Sequence, residues 1–144
     1  RLASADESGG FRVWSRVGDA APRTLDAPAL SRYSRLSFDA SGSRLGGGST
    51  GGAQVWSLAD PPDAAARVLR VPGEFTFGAV GFDREARWAV AGRDSFELAL
   101  WSLTSAYPRV LKGHTQMVFD LAFTADSRFL ASPSAKAVRR RARR

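Results

Sequence analysis

The chain contains no cysteine, no isoleucine and no asparagine, and only one histidine, His114, and one methionine, Met117. Without cysteine there is no disulfide and no thiolate metal site, and a single histidine cannot complete a His-rich one. The expectation is a protein with no metal and no cofactor. Long apolar runs are missing too. None approaches the roughly 18 residues that a membrane-spanning helix needs, and no signal peptide is visible. The reading is of a cytoplasmic chain without membrane contact. Lysine is scarce beside arginine, a bias that suits a GC-rich bacterial gene.

Catalytic signatures are wanting as well. Gly46-Gly47-Gly48-Ser49-Thr50-Gly51 has the spacing G-x-G-x-x-G, but a dinucleotide fingerprint needs a helix after it to meet the pyrophosphate. Here Gln54-Val55-Trp56 reads as a strand, so the glycines read as a loose hairpin. A triad could be assembled from Ser132 or Ser134, His114 and Asp120 or Asp126, yet no nucleophile-elbow motif supports it. The chain reads as a non-enzyme.

What is present begins with charge. The net charge of +7 is concentrated at one end, where Lys136, Arg139, Arg140, Arg141, Arg143 and Arg144 stand with no acid among them, leaving +1 for residues 1–135. Residues 136–144 read as a disordered basic tail, and clustered guanidiniums of this kind can neutralise phosphates. Polyanion or nucleic-acid binding is therefore an alternative function, confined to the tail. No aromatic is interleaved there for base stacking.

The body is organised by a repeat. Trp14, Trp56 and Trp101 each end a short apolar run and are followed by serine, at spacings of 42 and 45 residues. A second pattern, Tyr33-x-x-Leu36-x-Phe38, returns as Phe77-x-x-Val80-x-Phe82 and Val118-x-x-Leu121-x-Phe123, at spacings of 44 and 41. Two features sharing one period of forty-odd residues mark a repeat architecture. Turn residues follow each aromatic-ended strand, at Asp39-Ala40-Ser41-Gly42, Asp83-Arg84-Glu85 and Ala125-Asp126-Ser127. A second strand comes next, then the tryptophan strand, then a more polar fourth strand at Arg67-Val68-Leu69 and Arg109-Val110-Leu111. In Leu98-Ala99-Leu100-Trp101 both alternate faces are apolar, which calls for a neighbouring sheet on each side. The expected fold is all-β, built of four-stranded antiparallel blades: a partial blade over 1–15, blades over about 16–58 and 59–103, and a partial blade over 104–135.

The run Leu111-Lys112-Gly113-His114-Thr115, Val118 to Phe123, Asp126 and Leu130-Ala131-Ser132 resembles the repeat of the WD-repeat β-propeller family. Val55-Trp56-Ser57 and Leu100-Trp101-Ser102 are similar to that family's Trp-Asp dipeptide, with Ser in the place of Asp. The resemblance implies structural roles for Trp14, Trp56, Trp101, His114, Ser132 and Asp94. In the family such a histidine joins a Ser or Thr of the second strand, an Asp of the following turn and the Trp in a buried hydrogen-bond network, with Ser132 the matching serine for His114. For His114 the aspartate position falls near Ala135-Lys136. Leu130 calls for a tryptophan at 141 or 142, where the sequence has Arg141 and Ala142, so the last blade breaks off and 136–144 does not read as a strand.

Function follows from the resemblance as an expectation: a protein-binding scaffold, with no chemistry of its own. Residues leading into the first strand of each blade face one rim in this family, which makes Arg32, Ser34, Thr76, Gly78, Met117 and Phe119 the partner-binding candidates. A little over three periods falls short of the roughly 4–8 blades of a closed propeller. The expected partners are therefore other proteins, or the blades that complete the ring, either in a longer signalling protein or in an assembly.

Overall fold

The computed structural model describes residues 1–6, 11–15, 21–25, 35–50, 52–61, 63–73, 76–104 and 108–134, and residues 137–142 as backbone. Every regular element among them is a strand, and the strands form four antiparallel sheets. The first sheet is β1 (Leu2–Ala5), β2 (Phe11–Trp14) and β3 (Arg23–Leu25), in that order. The second is β4 (Ser37–Phe38), β5 (Arg44–Ser49), β6 (Gly52–Ser57) and β7 (Arg67–Leu69). The third repeats it with β8 (Phe77–Phe82), β9 (Trp88–Arg93), β10 (Leu98–Ser102) and β11 (Pro108–Leu111). β12 (Ala122–Phe123), β13 (Phe129–Ser134) and β14 (Ala137–Ala142) make the fourth.

Two four-stranded sheets flanked by two shorter ones match the expected arrangement, but the boundaries differ. The fourth strand pairs backward, onto the tryptophan strand that precedes it: β3 on β2, β7 on β6 and β11 on β10. The sheets therefore run from Ser37 to Leu69 and from Phe77 to Leu111, one strand out of phase with divisions at 16–58 and 59–103. The connection decides this, because a strand that follows directly in the chain reaches the open edge beside it before any other.

The basic end also departs from expectation. Ala137–Ala142 is a strand, antiparallel to β13 and in register from Phe129↔Ala142 to Ser134↔Ala137. Without it β13 would be an open edge, and backbone N–H and C=O groups pair whatever side chains they carry. Arginine spacing alone cannot reveal that. The glycine run is a third correction. Gly46, Gly47 and Gly48 lie inside β5, opposite Val55, Gln54 and Ala53. At Gly48 a Cβ would come within 2.2 Å of the Phe77 carbonyl oxygen, so the absent side chain is what lets the third sheet approach.

The sheets pack face to face in sequence order. Phe11, Val13 and Leu25 of the first meet Leu45 and Trp56 of the second. Val55 and Leu69 of the second meet Phe77, Ala99 and Trp101 of the third. Leu98 and Leu100, on the opposite face of β10 from Ala99 and Trp101, meet Val118, Leu121 and Leu130. Inner sheets are thus apolar on both faces because each has two neighbours. The rings of Phe11 and Trp56 lie 4.8 Å apart and those of Phe77 and Trp101 5.6 Å apart. An indole so buried contributes on the order of 4–6 kcal/mol at most. β8 touches β4 on one side and β12 on the other, so the first strands of successive sheets draw together.

Candidate functional site

One end of the sheets is built from three equivalent turns. Asp39 N donates to Arg44 O (3.1 Å), and the Asp39 carboxylate accepts from Arg44 N (2.9 Å). Asp83 repeats this with Trp88, at 3.2 and 2.7 Å, and Thr124 does so with Phe129, its hydroxyl accepting the Phe129 N–H at 3.1 Å. Three residues on, each turn passes through positive φ, at Gly42 (68°), Ala86 (50°) and Ser127 (56°). Burial on its own raises the Asp39 carboxyl, but the Arg44 N–H and the Ser41 and Ser43 hydroxyls together hold it below the ordinary value. Asp126 is lowered by the Thr124 hydroxyl first, then by the Arg128 N–H. These carboxylates serve their own turns. An open cleft of about 460 Å³ beside the first of them is lined by Arg1, Phe38, Asp39, Ser41, Ser43 and Leu58, among others.

Arginines tie one sheet to the next, which the sequence reading missed. Arg1 Nη1 donates to Gly42 O (2.8 Å), and Arg44, one repeat later, donates to Ala86 O (2.5 Å). Arg23 Nη1 reaches Leu58 O (3.1 Å), and Arg67 reaches Leu103 O (2.7 Å). The signal was available: Arg23, Arg67 and Arg109 occupy one register, opposite Val13, Val55 and Leu100. In the third sheet the pattern changes, with Trp88 at the Arg44 position and Arg109 lying 6.0 Å over its ring.

The opposite end carries the remaining candidates. Thr76 N donates to the Asp94 carboxylate (3.1 Å) and Asp94 N to Thr76 O (3.0 Å), clamping the start of β8 to the β9–β10 turn. Beside this turn Glu97 joins the buried Arg93 (2.8 Å) to Lys112 (3.5 Å). Gly78 lies in β8, half-buried. Met117 corresponds to Thr76 in the next repeat and is half-buried, while Phe119 is 50 % exposed. Between them Val118 points into the core and bridges to Ser134. Arg32 and Ser34 lie outside the described residues.

His114 Nε2 stands 2.7 Å from the hydroxyl of the buried Ser132. Trp101 Nε1 donates to Arg70 O at 3.1 Å. Trp56 and Trp101 are buried and Trp14 is half-buried. Asp94 lies in the preceding repeat, where it bonds Thr76. The aspartate position for His114, at residues 135–136, lies outside the described residues, as do Lys136, Arg143 and Arg144. Arg139, Arg140 and Arg141 are in β14, opposite Ser132, Ala131 and Leu130.

Among the described residues no group of three or more His, Asp or Glu could hold a metal ion, and no helix is long and apolar enough to cross a membrane. No family model matches the chain, and no curated protein matches it.

Proposed function

We propose that this chain is a segment of a WD-repeat-like β-propeller and acts as a non-catalytic scaffold for other proteins. The observation that carries the reading is the pair Met117 and Phe119 flanking the buried Val118. An aromatic half exposed beside an adaptable thioether suits a protein interface. Support for the propeller part comes from the stacked antiparallel sheets, the drawing together of β4, β8 and β12, and the His114–Ser132 pair. No cofactor is needed, the setting is the cytoplasm, and the arginine-rich composition suits a bacterial source. Proteins crosslinked to the wild-type chain in its own cells should be lost from a Met117→Ser, Phe119→Ser variant of unchanged circular dichroism. Equal capture by both would refute the assignment. A second reading, polyanion binding, rests on three successive arginines in β14, the last strand of the fourth sheet.

A further inference from the structure

The inner edges of the sheets draw together, with β4 and β12 both touching β8, and the outer edges stay open. β7 and β11 are the last strands of the second and third sheets, and no described strand pairs beyond either. Both sheets have a neighbour on each face, so these two edges belong to the middle of the stack. They carry one motif at one register. Arg67-Val68-Leu69-Arg70 pairs through Arg67↔Val55, Val68↔Gln54 and Leu69↔Ala53, and Arg109-Val110-Leu111-Lys112 through Arg109↔Leu100, Val110↔Ala99 and Leu111↔Leu98. Val68 and Val110 are 37 and 38 % exposed, and no acid stands within either motif. Glu97 approaches Lys112 (3.5 Å) but is already bonded to the buried Arg93 (2.8 Å). Charge on an edge strand guards it against pairing with another chain. Here the guard has one sign: it repels a second copy of the same edge and attracts a strand that carries carboxylates.

We propose that the outer edges of β7 and β11 take up an extended acidic segment of another protein, added to the sheet as a further strand. The unpaired N–H and C=O groups of the edge supply main-chain hydrogen bonds, and the side chains set the pattern. Read across the edge, cation-valine-leucine-cation calls for an acid, two apolar β-formers and an acid. That order is the same in either direction, so parallel and antiparallel pairing are both served. Opposite charges and β-branched residues are favourable cross-strand neighbours. A slip of one residue sets a carboxylate beside the valine and an apolar residue beside a cation, which fixes the register. Arg67 and Arg109 keep their own contacts, with Leu103 O and the Trp88 ring, and add their charge from there. The exposed Arg70 and Lys112 are left to meet the incoming acids directly. The Met117–Phe119 rim takes no part in this, so the two surfaces are lost independently.

Fluorescence anisotropy with a short labelled peptide built on Glu-Val-Val-Glu should show saturable binding to the full chain, and its Lys-Val-Val-Lys counterpart should show none. Methylating both valine nitrogens removes the donor that faces the edge while keeping every charge, and should abolish binding. The double variant Arg70→Glu, Lys112→Glu changes only exposed side chains and should leave circular dichroism unchanged. It should weaken the acidic peptide by about tenfold or more and admit the lysine peptide, since each favourable cross-strand charge pair becomes a repulsive one. Absence of binding by the acidic peptide, or undiminished binding to the double variant, would overturn the proposal. Equal binding of the N-methylated peptide would reduce the contact to charge alone and overturn strand addition. Displacement of the acidic peptide by a single-stranded oligonucleotide of equal charge would assign the edges to nucleic acid instead.

Discussion

Arg141 stands directly across from Leu130, in the place that Trp14 holds opposite Leu2, Trp56 opposite Leu45 and Trp101 opposite Ala89. Leu130 belongs to the core between the third and fourth sheets. The fourth sheet is therefore built on the common register but lacks the aromatic that the others use at this point. Apolar area is worth roughly 25 cal/mol per Å², so an indole here, even partly covered, should add on the order of 1–2 kcal/mol. Arg141→Trp is expected to raise the denaturation midpoint and to slow hydrogen exchange of the β13 amides. An unchanged midpoint would mean that β14 does not use this register in solution.

Positive φ recurs at the third position after Asp39, Asp83 and Thr124, and only the first turn has glycine there. A side chain in the left-handed region is strained, whereas glycine adopts it freely but loses more chain entropy on folding. Ala86→Gly should therefore stabilise by up to about 1 kcal/mol, and Gly42→Ala should destabilise by a similar amount. Thermal unfolding of the two variants checks the pair, and a drop in both would show that the turns are not equivalent.

Much of this was readable beforehand, for reasons particular residues make plain. The repeat was legible in Trp14, Trp56 and Trp101 because a large aromatic at a fixed period marks a recurring strand, and Trp56 and Trp101 are core residues whereas Trp14 is half-buried. The two apolar faces of β10 were legible in Leu98-Ala99-Leu100-Trp101 because strand side chains alternate. What escaped depends on backbone and on neighbours distant in sequence. β14 forms because β13 offers an open edge, which Arg139-Arg140-Arg141 cannot announce. Gly48 reads as a flexible hairpin residue until the Phe77 carbonyl oxygen is seen above it. Arg23 and Arg67 look like exposed charges on a polar strand, although their guanidiniums reach the carbonyls of Leu58 and Leu103. The Thr76–Asp94 clamp joins residues 18 apart through the β9–β10 turn, which neither residue announces in the sequence.

Acid should act on the second sheet through Asp39. Its folded carboxyl titrates below the reference value of 3.8, held there by the Arg44 amide and the Ser41 and Ser43 hydroxyls against the opposing effect of burial. A depressed folded value means that this contribution is fully present above the unfolded value and lost as pH falls through the folded one. Stability measured by denaturant between about pH 6 and pH 2 should therefore fall below about pH 4, and more steeply for wild type than for Asp39→Asn. Parallel curves would assign the acid sensitivity to other groups.

The basic end separates a scaffold from a polyanion binder, and the structure changes how the two must be tested. Deleting residues 136–144 would remove β14 and expose the edge of β13, so lost binding could reflect a damaged sheet. Neutralising the charge while keeping the strand avoids this: Lys136, Arg139, Arg140, Arg141, Arg143 and Arg144 are all replaced by glutamine. If these residues bind phosphates, the wild type should be retained on a polyanion column without preference for sequence. Six neutralised phosphates give a log–log salt slope of up to about −5. The glutamine variant should pass through unretained while its circular dichroism stays that of the wild type. Because residues 1–135 carry only +1, the remaining sheets have no excess charge with which to hold a polyanion. Should the neutralised chain still bind DNA or RNA at about 0.15 M salt, where a nonspecific contact is already weak, the sheets themselves would be reading nucleic acid and the scaffold assignment would fail.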